Sequence, residues 1–268
     1  MKNQLSFLGY MLCAVIFSSC VKQQESELFH NTGIVLQKSD FIKGSISINN
    51  HFITYEVKES KSMLFDVLVR LDKFEFKTSI NYNTEDIIFD GGNAVLSTNQ
   101  KEVLVDLGKN LTAYLFIERS VEDFTLAEYS LLRLLEYWAK SPYQYRYINR
   151  YIKGGQSNDF KGSGEGITCI RLGSQQLAQY DDQQGNNYQE SITVANDGQD
   201  CFGMCGFFRC PGSFDLPRAW TKDCLDHDVC GTRLGGLYNP LDRNCRDEYN
   251  QAIDDYLFGL IRGCKVKV

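Results

Sequence analysis

The placement of its cysteines constrains this chain more than any other feature of its sequence. The chain has ten cysteines, and eight of them lie beyond residue 168: Cys169, Cys201, Cys205, Cys210, Cys224, Cys230, Cys245 and Cys264. An even number of clustered cysteines in an exported protein predicts a disulfide framework, here of as many as four bonds. The spacing does not determine the pairing. Zinc is the alternative, because three of the cysteines follow a Cys-x3-Cys-x4-Cys pattern, although common structural zinc sites use Cys-x2-Cys.

The N-terminus has the layout of an export signal. One lysine precedes an apolar run from Leu5 to Phe17, and two serines then lead to Cys20. The run is too short to cross a bilayer and is typical of a secretory signal peptide. The residues before Cys20 are similar to a bacterial lipobox, which would make this cysteine the acylated first residue of the mature chain. We therefore predict a signal peptide at residues 1–19 and an exported chain, either lipid-anchored at the cell envelope or secreted. A retained membrane-anchoring helix is the alternative.

Length and patterning predict two domains joined by irregular segments. Residues 20–40 are polar and predict a tether, and residues 151–200 contain glycine-rich stretches that predict a linker with long loops. Residues 41–150 alternate polar and apolar side chains in short runs, which predicts an antiparallel β-rich domain followed by a helix over 120–140. The predicted strands lie at 45–48, 52–57, 63–71, 74–80, 87–89, 94–96, 103–107 and 114–117, with a tight Asn-Asn turn after the first.

The remaining residues, 201–268, form the predicted cysteine-rich domain, in which we expect two helices. These run over 217–230 and 240–262, and their short connection makes them antiparallel neighbours. A disulfide between Cys230 and Cys245 would span that connection easily. The fold class expected for the whole chain is α+β, with an antiparallel β-rich domain, a helix and then a disulfide-stapled helix pair.

Residues 223–230, Asp-Cys-Leu-Asp-His-Asp-Val-Cys, carry the predicted chemistry. They place His227 beside Asp228 and three residues from a cysteine on either side. Residues three apart share a helix face, so two disulfide anchors would hold the imidazole in one orientation. A fixed general base next to a cation-binding carboxylate is the minimum equipment for hydrolysis by an activated water. A structural or zinc-binding histidine is the alternative.

This octet resembles the active-site helix of the secreted phospholipases A2, whose pattern is Cys-Cys-x-x-His-Asp-x-Cys. Asp223 stands in place of the first cysteine, the other fixed positions match, and the resemblance covers about residues 200–264. It implies a phospholipase A2-like architecture and calcium-dependent hydrolysis of a phospholipid ester. In that scheme His227 is the general base and Asp228 binds Ca²⁺.

Two further parts of the site are implied by the same resemblance. Asp247, on the second helix, would accept the other imidazole N–H and fix the tautomer, with Asp254 as the alternative. The calcium loop of the family reads Tyr-Gly-Cys-x-Cys-Gly-x-Gly, and here the backbone of Gly203 and Gly206 would supply the calcium ligands. A phenylalanine replaces the last glycine of that loop.

Charge bears on the expected partners. The net charge is −6 and no basic stretch occurs, which argues against binding to nucleic acid. The expected partner is a phospholipid or a membrane surface, and the β-rich domain would bind a protein or surface ligand. A second class of function is a non-catalytic, disulfide-stapled binding or structural module of the cell surface, in which the His-Asp pair serves folding alone.

Overall fold

The structure is a computed structural model that describes residues 29–120, 123–142, 144–153, 166–194, 201–206, 217–235 and 242–265. The predicted signal peptide, residues 20–28 of the tether including Cys20, and Cys210 lie outside the described residues. Part of the remaining tether is not irregular as predicted, because residues 34–38 form a strand of the sheet. Within the described part of the chain, no helix combines the length and the apolarity that a membrane span requires.

The N-terminal half is built on a seven-stranded sheet in the order β1-β2-β3-β4-β5-β6-β9, with all neighbours antiparallel. Its alternating side chains explain why one face is buried and the other is in water: Ile53, Tyr55 and Val57 are buried, whereas Phe52 is exposed. The strands are β1 (Ile34–Lys38), β2 (Phe41–Ile48), β3 (His51–Lys61), β4 (Leu64–Leu71), β5 (Phe74–Asn81), β6 (Asp86–Asp90) and β9 (Arg150–Ile152), with β7 (Ala94–Val95) and β8 (Arg146–Tyr147) forming a separate short pair.

The Asn49-Asn50 turn between β2 and β3 is confirmed. Both residues have positive φ, 50° and 66°, as a two-residue turn of the type that matches strand twist requires. Asparagine tolerates this left-handed region better than most residues. The local sequence therefore sets the register in which Ile48 opposes His51.

Two helices cover the inner face of the sheet: α1 (Thr98–Leu115) and α2 (Leu126–Lys140). The strands predicted at 103–107 and 114–117 are wrong, because the first segment lies within α1 and the second spans its last two residues and the turn that follows. Val103, Leu104, Leu107 and Leu111 recur at three- and four-residue spacing and form one buried helix face, which a short window cannot distinguish from a buried strand.

The helix predicted over 120–140 exists but begins later than expected. Its N-cap is Thr125, whose hydroxyl accepts the Glu128 N–H while the Glu128 carboxylate accepts the Thr125 N–H. This reciprocal capping box satisfies two groups that a helix start leaves unpaired. Ser120, where the helix was expected to begin, lies five residues before this N-cap.

The C-terminal part contains α3 (Lys222–Leu234) and α4 (Arg246–Phe258), both shorter than predicted. It also contains a β-hairpin within the segment that we had expected to be linker and long loops: β10 (Gln175–Asp181) and β11 (Asn187–Thr193). Glutamine-rich strands of this kind lack the apolar alternation by which strands are recognised. The hairpin packs on α3, with Ala178, Ile192, Leu225 and Val229 in a small core of their own.

The expected disulfides are present. They join Cys169 to Cys264, Cys205 to Cys224 and Cys230 to Cys245, and Cys201 is also disulfide-bonded. The zinc alternative is therefore wrong for these cysteines, because none of them is a free thiolate. The Cys230–Cys245 bond joins the end of α3 to the start of α4, while the Cys224 sulfur contacts the Ala252 carbonyl at 4.0 Å. The two helices are consequently antiparallel, as predicted.

The sheet and the C-terminal helices share one continuous hydrophobic core. A buried polar cluster crosses it: the Arg218 guanidinium donates to both oxygens of Glu136 at 2.9 and 2.7 Å, and the Tyr256 hydroxyl donates to the same carboxylate at 2.7 Å. Arg133, fully buried, adds a third donor at 3.2 Å. Burial alone would raise the pKa of Glu136, but the Arg218 and Arg133 charges outweigh it and hold that pKa below its ordinary value.

Candidate functional site

Helix α3 holds the His-Asp pair in a fixed place. Its N-cap is Thr221, whose hydroxyl accepts the Cys224 N–H, and disulfides at Cys224 and Cys230 fix it one turn before and one turn after His227. The His227 side chain is 13% exposed. The predicted bracketing of one imidazole by two disulfides is therefore present.

The two ring nitrogens of His227 have different surroundings. Nδ1 lies 3.8 Å from Oδ1 of Asp228, and Nε2 is buried with no hydrogen-bond partner among the described residues. The Tyr249 ring packs edge-on against the imidazole, with 5.3 Å between the ring centroids. The ring is thus packed but not hydrogen-bonded on its inner side.

Asp228 contacts the loop that precedes the helix. Its Oδ2 accepts the Gly203 N–H at 2.9 Å. Burial raises the pKa of Asp228, opposed by the neighbouring His227 and by the Gly203 N–H. Gly203 has φ +90°, and a Cβ there would lie 2.4 Å from the Ile170 side chain, so both conformation and space require glycine.

As arranged, the described residues do not form a calcium loop around Asp228. The Gly203 carbonyl accepts the Thr221 N–H at 2.9 Å. Gly203 therefore presents its N–H, and not its carbonyl oxygen, to the Asp228 carboxylate. At Gly206, a Cβ would lie 2.6 Å from Nη1 of Arg218, so a guanidinium charge already stands beside this backbone. Ca²⁺ takes six to eight oxygen ligands, and the carbonyl oxygen of Gly203 is already engaged by the Thr221 N–H in this arrangement.

The two aspartates considered as partners of His227 lie elsewhere. Asp247 groups with Asp181 and Glu248, with one oxygen of each within 4.8 Å of the others. Neither Asp247 nor Asp254 hydrogen-bonds Nε2 of His227. Tyr249 is the residue of α4 that faces the imidazole, and Asp247, two positions earlier, is about 200° away around the helix.

Asp254 belongs to a second group of carboxylates, together with Asp223 and Asp255. The sequence alone did not predict this group. Burial raises the pKa of Asp223 to about 6, with the Asp226 charge adding to it. Burial followed by the Asp223 charge raises the pKa of Asp254 to about 7 and that of Asp255 to about 9. Three carboxyl groups from two helices thus share one largely buried space.

The β-hairpin completes the surroundings of the helix pair. The Gln179 N–H donates to Asp226 on α3 at 2.8 Å, and the Asp181 N–H donates to Glu248 on α4 at 3.0 Å. Tyr249 and Glu248 were missed from the sequence. Tyr249 could have been predicted from the expected Cys230–Cys245 disulfide. It lies one turn after Cys245, and Cys230 shares a helix face with His227.

Glu248 predicts a pH effect on stability. It is 4% exposed, and burial raises its pKa to about 8, with a hydrogen bond to the Asp247 carboxylate adding to the shift. A raised pKa in the folded state means that the folded protein holds the proton more tightly, so its contribution is complete below about pH 4.5 and is lost as pH rises through about 8. Between about pH 5 and about pH 8.5, the wild-type protein should lose on the order of 3 kcal/mol of stability through the ionisation of Glu248. The Glu248→Gln variant should not show this loss.

Urea unfolding at several pH values measures this effect, with Glu102→Gln on an exposed position of α1 as the matched control. If the free energy of unfolding depended on pH in the same way for the wild-type protein and for Glu248→Gln, Glu248 would be ionised in the folded protein across this pH range. That result would contradict the prediction.

Comparison with known proteins adds one result. Residues 165–268 match a family described as a domain of unknown function, DUF8213. No curated protein and no solved structure matches the chain. The matched segment includes the hairpin, both C-terminal helices and the His-Asp pair.

Proposed function

We propose that the chain is an exported ester hydrolase resembling phospholipase A2, in which His227 activates a water for attack on a phospholipid ester. The observation that carries the proposal is a histidine held by two disulfides, next to a carboxylate, with a buried ring nitrogen that has no hydrogen-bond partner in the described part of the chain. The disulfide-linked antiparallel helix pair is the part of the phospholipase A2-like architecture that supports it.

The unpartnered nitrogen argues for a functional residue. Leaving a buried polar atom without a hydrogen bond costs about 1–3 kcal/mol. An apolar side chain of similar size would fill the same space beside Tyr249 without that cost. A histidine at this position is therefore better explained by chemistry than by packing.

The reaction assigns His227 one role. Because Nε2 is enclosed, the proton of the attacking water passes to Nδ1 as the water oxygen bonds to the ester carbonyl carbon. The carboxylate of Asp228, 3.8 Å from Nδ1, stabilises the imidazolium that forms. The imidazolium then returns the proton to the leaving alkoxide, so the products are a fatty acid and an alcohol.

Localisation and membrane contact are part of the proposal. Disulfides form and persist in oxidising compartments, which supports export. A lipid on Cys20 would hold the protein at the cell envelope, beside its substrate, and secretion without a lipid is the alternative. The exposed face of the sheet carries ion pairs such as Lys43–Glu56 and Arg70–Glu75, and would offer a polar surface to a protein or surface ligand.

The test is product analysis with the oxidised, full mature protein and mixed phosphatidylcholine and phosphatidylglycerol vesicles. We expect free fatty acid and lysophospholipid in equal amounts. Release of a head group, or no release from folded protein, would contradict the proposal. A parallel reaction with chelator examines the calcium requirement that the resemblance implies: loss of release without loss of fold would show that hydrolysis requires calcium.

The alternative is a non-catalytic, disulfide-stapled binding or structural module of the cell surface. Two observations favour it: Asp228 accepts the Gly203 N–H, and no carboxylate of the described residues accepts a hydrogen bond from Nε2 of His227. This alternative predicts no hydrolysis of any ester, with or without calcium.

A further inference from the structure

We propose that Asp223, Asp254 and Asp255 form a calcium-binding site that joins α3 to α4, separate from Asp228 and from the chemistry of His227. Asp223 lies in the first turn of α3, and the other two lie in the last turn of α4. The site does not depend on whether the protein is a hydrolase.

The spacing of the three side chains suits this ion. One oxygen from each lies within 4.8 Å of the other two. Calcium binds oxygens at about 2.3–2.6 Å, so two of its ligands are separated by at most about 5 Å. Asp255 and Asp223 are buried, and Asp254 is partly exposed, which leaves one side open for entry of the ion and for water ligands.

Asp255 is the member of the group that points most clearly to a cation. It is 0% exposed, and neither of its oxygens has a hydrogen bond of good geometry among the described residues. The Thr221 hydroxyl and the Asp223 N–H lie close enough to lower its pKa, but burial dominates. Its other close neighbours are the sulfurs of the Cys205–Cys224 disulfide, which donate no hydrogen bond. A buried carboxylate in this state requires a proton or a cation.

The protein supplies little positive charge to the group. No lysine, arginine or histidine in the described ranges forms an ion pair with any of the three. Lys222, the nearest candidate in sequence, pairs with Asp226, and its charge opposes the rise in the pKa of Asp223 without preventing it. The start of α3 contributes only about half a positive charge. Glu85, which acts on Asp254, adds further negative charge, and Arg262 pairs with that glutamate.

The position of the group suggests its role. The Cys230–Cys245 bond fixes the end of α3 to the start of α4, and the three carboxylates meet at the opposite end of the same helix pair. A bound calcium would fix that end, one turn before His227. The site would therefore stabilise the helix that carries the imidazole without touching a substrate.

The experiment is calorimetric titration of CaCl₂ into chelator-treated, oxidised full-length mature protein, together with thermal unfolding. We expect binding, and a rise in melting temperature of about 5 °C or more at a hundredfold excess of calcium over Kd. Asp254→Asn and, separately, Asp223→Asn should lose both. Each is isosteric and removes a repulsive charge, so each should fold without calcium, as near-ultraviolet circular dichroism would verify.

Two control variants locate the ion. Asp181→Asn removes a carboxylate from the other acidic group, and Asp228→Asn removes the one beside His227; both should bind calcium as the wild-type protein does. The proposal would be overturned by a wild-type protein that neither binds calcium nor gains stability. It would equally be overturned by binding that is kept in Asp254→Asn and lost in Asp228→Asn or Asp181→Asn.

Discussion

Replacing His227 with glutamine is expected to lower kcat/KM for phospholipid hydrolysis by about 10²- to 10⁴-fold, the usual contribution of a general base. Glutamine has a similar size and cannot accept the proton at pH 7, so the loss would come from chemistry and not from packing. Because Nε2 of His227 makes no hydrogen bond to any residue that the structure describes, the melting temperature should change little. Fatty-acid release from vesicles over a range of lipid concentrations measures the effect.

The matched control is His51→Gln. His51 lies on the sheet, where its Nδ1 is 2.7 Å from Asp72, and it is remote in the fold from the helix pair. This variant should hydrolyse lipid at the wild-type rate. If His227→Gln kept more than about a tenth of the wild-type rate, the assignment of His227 as the general base would be contradicted.

Replacing Glu136 with alanine is expected to destabilise the protein by about 3–5 kcal/mol. The substitution removes the acceptor shared by Arg218, Arg133 and the Tyr256 hydroxyl. Two guanidiniums would then lose the counter-charge that they share, and one of them is fully buried. The effect should be large because this cluster joins α2, beneath the sheet, to α4.

The midpoint and slope of urea unfolding, followed by circular dichroism, measure that loss. Glu75→Ala, which removes the exposed partner of Arg70, is the matched control and should leave the midpoint almost unchanged. Equal destabilisation by the two substitutions would mean that the buried cluster contributes no more than a surface ion pair.

Much of the fold could be predicted from local patterns. Alternation identified the strands from β2 to β6, and the Asn49-Asn50 turn identified the first hairpin. The cysteine count identified a disulfide unit, and the short connection between α3 and α4 identified the Cys230–Cys245 bond. Each of these features is encoded within about a dozen residues.

The errors have physical causes. The apolar residues of α1 recur on one helix face, but in windows of four or five residues they read as buried strands. The β10–β11 hairpin is polar and is held by hydrogen bonds to Asp226 and Glu248, which follow it by about fifty residues or more. Nothing local signals such a strand.

The candidate site divides in the same way. The neighbours His227 and Asp228 were predicted, because their relation is set by one helix. What surrounds them depends on tertiary packing: Gly203 donates to Asp228, and Tyr249 occupies the face where Asp247 was expected. The group of Asp223, Asp254 and Asp255 likewise forms only when the two helices pack.

The most direct test of the central claim compares the pH dependence of kcat/KM with the titration of the His227 ring protons in the free protein by NMR. The sequence has three histidines, so single glutamine variants assign their signals. The acidic limb of kcat/KM reports the essential base of the free enzyme. If His227 is that base, the midpoint of this limb should coincide with that of the His227 signal. A midpoint that matches no histidine, or an acidic limb that persists in His227→Gln, would contradict the account.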